Sequence, residues 1–212
     1  MNKTRIEWAD YTWNPIKGLC PVGCWYCYAR KMYKRFGWPQ EISLDVAPIE
    51  LCGRIPDGSR IFVCSTIEMF HPDIPRCYRD FIFENIRDYS KLIFIILTKM
   101  PGNVDRAMPD NVWLGVSVTG MDDISRLSHL LGKQAKVKFV SFEPLLDFPA
   151  LPAHGIDWVI IGKLTGHGKN HDPPKRWVES LVEMAHGLNY PVFLKNNLCE
   201  IWEEPLIQEF PE

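Results

Sequence analysis

The chain has 212 residues, 46% hydrophobic and 24% charged, with a formal net charge of -2. That length suits one domain that buries roughly 70% of its unfolded surface without disulfides. The near-neutral charge excludes a uniformly basic nucleic-acid binder and leaves room only for a local basic patch. No apolar run approaches the ~18 residues of a membrane span. The start, Met1-Asn-Lys-Thr-Arg-Ile-Glu-Trp8, shows no apolar signal segment. Seven cysteines, an odd number, fit a reducing cytoplasm in which thiols serve a metal rather than a disulfide framework.

In chain order, a short strand over Thr12 to Ile16 precedes a loop with three cysteines, Cys20-Pro-Val-Gly-Cys24-Trp-Tyr-Cys27. A helix from Tyr26 to Phe36 follows, stopped by Gly37 and Pro39. Its basic face is Arg30, Lys31, Lys34 and Arg35, opposite Tyr28, Met32 and Phe36. A strand over Arg60–Thr66 leads to a helix beginning at Pro75. There Cys77/Tyr78, Phe81/Ile82, Ile86 and Tyr89 recur at helical spacing, and Asp73 is the expected N-cap. Strands are expected over Lys91–Thr98 and Val112–Val118, then a helix over Asp122–Leu131 closed by Gly132. Val137–Phe142 and Asp157–Gly162 read as strands. A helix starts at Pro174, with Asp172 ahead of it, and Pro191–Lys195 closes the series.

Most of these strands are continuous apolar runs, which means burial on both faces, as in a parallel sheet covered by helices. Strand and helix alternate at the length of a βα unit. The expected fold is α/β: a partial (β/α) TIM-like barrel of about six to seven parallel strands, in one domain over residues 1–212. A flat doubly wound sheet is the competing architecture. Polar residues stand at the C-terminal strand ends: Ser65, Thr66 and Glu68; Thr98 and Lys99; Ser117 and Thr119; Ser141 and Glu143; Lys163; Lys195 and Asn196. In a barrel these ends form one rim.

The loop spacing is C-x₃-C-x₂-C. A closed zinc site takes four protein ligands, whereas three thiolates can hold three irons of a 4Fe–4S cluster and leave the fourth open. A zinc knuckle completed by His71 or Cys199 is the alternative. Cys52 and Cys77 read as structural, Cys64 as packed within its strand, and Cys199 as a small buried hydrophobe. His71 is expected in a turn, while His167 and His171 flank a glycine-rich loop able to close over a substrate.

The cysteine motif, with aromatic Tyr26 before its last cysteine, resembles that of radical S-adenosylmethionine (SAM) enzymes. The blocks Ile6-Glu-Trp-Ala-Asp-Tyr-Thr-Trp-Asn-Pro15, Cys64-Ser-Thr-Ile-Glu-Met-Phe-His71, Leu97-Thr-Lys-Met-Pro101, Asn111-Val-Trp-Leu-Gly-Val-Ser117 and Phe139-Val-Ser-Phe-Glu-Pro-Leu-Leu146 resemble an uncharacterised, phage-associated radical-SAM-like family. Two later segments depart from its pattern: Gly162-Lys-Leu-Thr-Gly166 lacks an expected carboxylate, and Asn196-Asn-Leu-Cys199 replaces an expected Gln-Trp-Gly.

The resemblance implies that Cys20, Cys24 and Cys27 hold a 4Fe–4S cluster whose open iron binds SAM. It further implies reductive cleavage to a 5′-deoxyadenosyl radical that abstracts hydrogen from an unknown substrate. Tyr26, Ser65, Thr66, Glu68, Lys99, Ser117, Glu143 and Lys195 are the implied SAM-binding residues, and a flavodoxin or ferredoxin the implied reductant. Two other readings stand beside it: a non-catalytic, metal-stabilised nucleic-acid-binding protein, and a radical SAM lyase acting on nucleic-acid lesions. The basic helix face gives both their local support, although such a face is more often simply solvated.

Overall fold

The apolar runs become strands whose side chains alternate between two cores. The computed structural model describes residues 1–47, 49 and 55–212, and Cys52 lies outside them. The strands are β1 (Asn2–Lys3), β2 (Tyr11–Trp13), β3 (Ile16–Lys17), β4 (Ser43–Leu44), β5 (Arg60–Val63), β6 (Ile93–Thr98), β7 (Val112–Ser117), β8 (Val137–Phe142), β9 (Trp158–Ile161) and β10 (Val192–Leu194). The α-helices are α1 (Tyr28–Phe36), α2 (Arg76–Asp88), α3 (Ser125–Leu131), α4 (Lys175–Gly187) and α5 (Cys199–Trp202).

Eight strands form one mixed but mostly parallel sheet in the order β1-β2-β5-β6-β7-β8-β9-β10. Only β1 is antiparallel to its neighbour. The order follows the chain without the reversal that defines a doubly wound sheet. Accordingly α2, α3 and α4 share a single core with one sheet face, represented by Ile61, Val63, Phe94, Ile96, Leu114, Val140, Val159 and Leu194. The other face carries Phe62, Ile95, Trp113, Phe139, Trp158, Ile160 and Phe193, capped by Trp8. Each such buried large side chain stabilises the fold by about 1.5–3 kcal/mol.

Trp8 reaches across this second core, with ring centroids 4.7 Å from Phe62 on β5 and 6.4 Å from Trp158 on β9. The C-terminal segment pairs with β10 through Phe193 and Gln208. Its Phe210 packs on Phe193 at 5.3 Å and lies under the Arg60 guanidinium at 4.0 Å.

Local structure departs from the sequence expectations at several points. The first strand is interrupted by Asn14-Pro15: β2 joins the main sheet, whereas β3 pairs with β4 in a separate two-stranded ribbon. Pro15 has no N–H to continue a ladder. Asp73 does not cap α2, where Pro75 holds the N-cap position with no side-chain cap, and Pro174 does the same at α4. Both prolines enter in extended conformation, which takes the preceding aspartates away from the first turn. Asp73 instead pairs with His71 at 3.6 Å and Asp172 with Lys163 at 2.8 Å.

Cys77 is exposed, because α2 buries Ile82, Phe83 and Ile86 and a residue five positions before Ile82 lies about 140° round the helix. Cys199 is also exposed, at the start of α5. Tyr28 and Phe36 are exposed as well, since α1 buries Ala29 and Tyr33, spaced i, i+4. Cys64 is buried as expected but sits just past β5, where its φ of 54° ends the strand. No helix among the described residues is long and apolar enough to cross a membrane.

Candidate metal centre

The cysteine loop is fixed at both ends before any ligand is considered. Gly18, at φ 112°, donates its N–H to the Tyr33 hydroxyl at 3.0 Å. A Cβ there would lie 2.6 Å from the Glu41 carbonyl oxygen, so no other residue fits. Arg30 on α1 donates to the Cys20 carbonyl at 2.8 Å. Gly23, at φ 71°, turns the chain between Cys20 and Cys24. The Cys27 N–H donates to the Cys24 carbonyl at 3.2 Å, and Cys27 is the N-cap of α1 with its thiol unused in capping.

All three thiols are free and half-buried. Cys20 Sγ accepts the Glu68 N–H at 3.4 Å. Burial pushes its thiol above the ordinary value, against the opposing pull of the Glu68 and Val22 amides. Burial also pushes the Tyr26 hydroxyl up, with the Cys24 thiol that it hydrogen-bonds as the next cause.

Around this loop stand the C-terminal strand ends. Beyond β5, Glu68 is buried and fully engaged: Thr98 Oγ1 donates to it at 2.7 Å, the Lys99 amide at 2.6 Å and the Phe70 amide at 3.1 Å. Ser65 donates to Asn14 Oδ1 at 3.1 Å and receives the Tyr28 hydroxyl on its carbonyl at 3.0 Å. Thr66 is half-buried on the same turn.

Lys99 Nζ, beyond β6, donates to Ser117 Oγ at 2.9 Å and lies 5.8 Å from the Tyr26 ring centroid. Ser117, at the end of β7, donates to the Glu143 carbonyl at 3.3 Å. Glu143, beyond β8, forms an ion pair with Lys195, beyond β10. Gly162 makes room for that pair, since a Cβ there would sit 2.9 Å from Lys195 Cδ. Ser141 faces Ser117 in register and is fully buried, yet its hydroxyl has no partner among the described residues.

The loop after β9 meets the cysteine loop and α1. Trp25 packs against His167 at 5.4 Å and His171 at 5.2 Å. Lys31 reaches His167 at 2.7 Å and the Gly166 carbonyl at 3.3 Å. A cavity of about 350 Å³ opens beside Trp25, between Leu145, His171 and Trp177. A larger one, about 840 Å³, lies at the opposite end of the sheet among Lys136, Asp157, Tyr190 and Glu209, away from every loop thiol.

A family model described as "Protein of unknown function (DUF5131)" matches residues 3–201. The chain belongs to this family. No curated protein and no solved structure matches it.

Of the expected site residues, Glu68 touches Cys20 and Tyr26 touches Cys24; Lys99, beside the Tyr26 ring, leads through Ser117 and Glu143 to Lys195, Ser65 bonds Tyr28 on α1, and Thr66 is half-buried next to Ser65. The fold does not bring His71 or Cys199 into a zinc site: among the described residues no group of three or more His, Cys, Asp or Glu side chains is set to hold a metal ion. His71 is a turn residue whose Nδ1 accepts the Asp73 N–H at 3.2 Å.

Sequence reasoning missed Asn14, Trp25, Asp123 and Arg126. Arg126 donates to the Ser117 carbonyl at 2.9 Å and pairs with Asp123 at 2.6 Å, beside Tyr26. Its i, i+3 spacing from Asp123 was the available signal.

Proposed function

We propose that this protein is a radical SAM enzyme on a partial (β/α) barrel, with a 4Fe–4S cluster held by Cys20, Cys24 and Cys27. The observation carrying the reading is the juxtaposition of three disulfide-free thiols on one anchored loop with a ring of polar strand ends. The donor set fits such a cluster in kind. A single zinc ion draws its sulfurs to about 2.3 Å from one centre, whereas a cubic cluster spreads its thiolates over separate irons. Among the described residues no group of His, Cys, Asp or Glu side chains, the three loop thiols included, is already set to hold a metal ion, so the reading rests on the cysteine spacing and on the groups beside the loop. The Glu68 amide aimed at Cys20 Sγ is the kind of N–H donor that stabilises a cluster thiolate.

Bound there, the cluster would supply the electron that cleaves the SAM sulfonium to a 5′-deoxyadenosyl radical. The protein's share is binding and exclusion. The Lys99 ammonium and the Glu143–Lys195 pair offer a cation and an anion for the zwitterionic end of SAM. Ser65, Thr66, Ser117 and the unpartnered Ser141 offer hydroxyls. Glu68, engaged by the start of the β6 loop, positions Lys99, and the Tyr26 ring shields the inner side of the loop.

The barrel reading is supported by strand order without reversal, by α2, α3 and α4 on one face, and by Trp8 and Phe210 bridging β5 to β9 and β10. A small electron donor of the flavodoxin or ferredoxin type would be the partner.

The test is anaerobic reconstitution with iron and sulfide, followed by SAM and a chemical reductant. Expected are about four irons per chain and release of 5′-deoxyadenosine, both lost in the Cys20→Ala/Cys24→Ala/Cys27→Ala variant. Iron retained by that variant, or zinc alone in the parent protein, would refute the assignment.

A further inference from the structure

The helix that follows the cysteine loop presents an unusual surface. Trp25, Tyr28, Phe36 and Trp38 are 58%, 54%, 54% and 42% exposed, four of the six exposed large hydrophobic side chains among the described residues. All four are aromatic, not aliphatic. Phe36 and Trp38 stack on each other at 5.3 Å with their planes 22° apart. Trp38 is braced from behind by the buried Tyr33, edge-on at 5.3 Å, and Gly37 holds the turn between them in the left-handed conformation, with the Trp38 N–H on the Tyr33 carbonyl at 3.2 Å. The ring pair is thus a rigid platform and not a frayed helix end.

The charges on this surface have one sign. From Trp25 to Gln40 the chain has no Asp or Glu, but it has Arg30, Lys31, Lys34 and Arg35. Arg30 is turned inward to the Cys20 carbonyl. Lys31, Lys34 and Arg35 are exposed and have no carboxylate partner among the described residues. Tyr28, Lys31 and Arg35, at i, i+3 and i+7, share one stripe of α1. That stripe runs from Trp25 and the His167 imidazole, which Lys31 touches, to the Phe36–Trp38 pair, where the Arg35 guanidinium lies 5.4 Å over the Phe36 ring.

We infer that this stripe and its flank bind single-stranded DNA, with bases stacked on the aromatic faces and phosphates on Lys31, Arg35 and, beside the stripe, Lys34. Flat exposed rings alternating with unpaired cations are what a single strand recognises, because every base has a π-face and every linkage a negative charge. A duplex keeps its bases inside and gains only the charge term. No carboxylate on the stripe rewards a 2′-hydroxyl, and the Tyr28 hydroxyl is already committed to Ser65, so RNA has no advantage. The net charge of -2 confines the binding to this face. The strand would end at Trp25, between Cys24 and Cys27, which would bring a nucleotide to the cysteine loop. Binding itself needs no metal and stands apart from the proposed reaction.

The test is fluorescence anisotropy of a labelled oligo-dT of about 20 nucleotides, long enough to span an ordinary single-strand site, with the full-length protein. Saturable binding is expected, weaker for the matching duplex and no tighter for the matching RNA. Contact with three phosphates predicts a log–log salt slope of roughly -2. Phe36→Ala should weaken binding about tenfold, and Lys34→Glu/Arg35→Glu should weaken it further and flatten the slope. Both variants change exposed side chains, so their fold, checked by circular dichroism, should be intact. The inference is overturned by the absence of oligo-dT binding, whether or not anionic lipid vesicles capture the protein, by salt-independent binding, by binding unchanged in both folded variants, or by preference for RNA or duplex.

Discussion

Gly115 offers the sharpest test of how the inner core supports the site. It lies on β7 two residues before Ser117, and Phe139 lies beside it in register on β8, two residues before Ser141. A Cβ at Gly115 would come within 2.2, 2.3 and 2.4 Å of three Phe139 ring atoms. Ordinary carbon contacts are about 3.5–4.0 Å, so the ring must retreat by more than about 1 Å. It has no room, being fully buried with Trp158 at 5.5 Å on its far side. Overpacking of this kind costs about 1–3 kcal/mol, offset in part by the smaller unfolded-state entropy of alanine, worth about 0.4–1 kcal/mol.

Gly115→Ala should therefore destabilise by about 1.3 kcal/mol, or ~3–5 °C in melting temperature for a chain of this size. The assay is urea unfolding followed by tryptophan fluorescence, with an unchanged m-value. Phe139→Leu should relieve the clash, so Gly115→Ala should cost at least about 1 kcal/mol less in that background, a coupling within the range for residues in contact. Equal costs in the two backgrounds would falsify the clash and the close β7–β8 packing beneath the rim.

Two further expectations concern titratable groups away from the rim. Asp105 hydrogen-bonds Arg106 at 2.9 Å and also pairs with Arg79. These arginines hold its carboxyl below the ordinary carboxylate range, the Arg106 bond foremost. A depressed value contributes stability above the unfolded-state pKa of about 4 and loses it as pH falls through the lower folded value. Asp105→Asn should thus cost about 1 kcal/mol at pH 7, with the gap to the parent closing on acid titration monitored by circular dichroism.

Burial pushes the Cys64 thiol up to about 12, while Cys77 and Cys199 are exposed. Alkylation of native protein near pH 8, mapped by mass spectrometry, should modify Cys77 and Cys199 and spare Cys64 until denaturant is added, since the thiolate is the reactive form. Early labelling of Cys64 would contradict its burial.

The sequence made the long strands legible because they are buried on both faces, a condition written as unbroken apolar runs. Val137–Phe142 appears with its expected bounds and the other long strands differ by a residue or two at their ends, apart from Arg60–Val63, which stops three residues short of Thr66, whereas the expected Thr12–Ile16 is split between two sheets. Cys64, in left-handed conformation, ends that strand, and nothing about a cysteine announces that. The helix bounds were legible from Gly37 and the prolines at 75 and 174. Which face each helix buries was less so: α1 carries aromatic residues on several sides, yet it is Ala29 and Tyr33 that it buries, the Tyr33 hydroxyl held by the distant Gly18 amide.

The spacing of Cys20, Cys24 and Cys27 is a local property, so the sequence by itself determined that three thiols share one loop and that a helix begins at the last of them. It likewise determined a parallel α/β arrangement and polar residues at the strand ends. Only the tertiary structure decided which of those polar groups are already engaged. Glu68 is consumed by Thr98 and the amides at 70 and 99, Glu143 meets Lys195 from 52 residues away, and Ser141 is left buried without a partner among the described residues. Such pairings depend on parallel neighbours delivered by long crossovers, and no local pattern in the chain encodes which distant strand end will stand opposite.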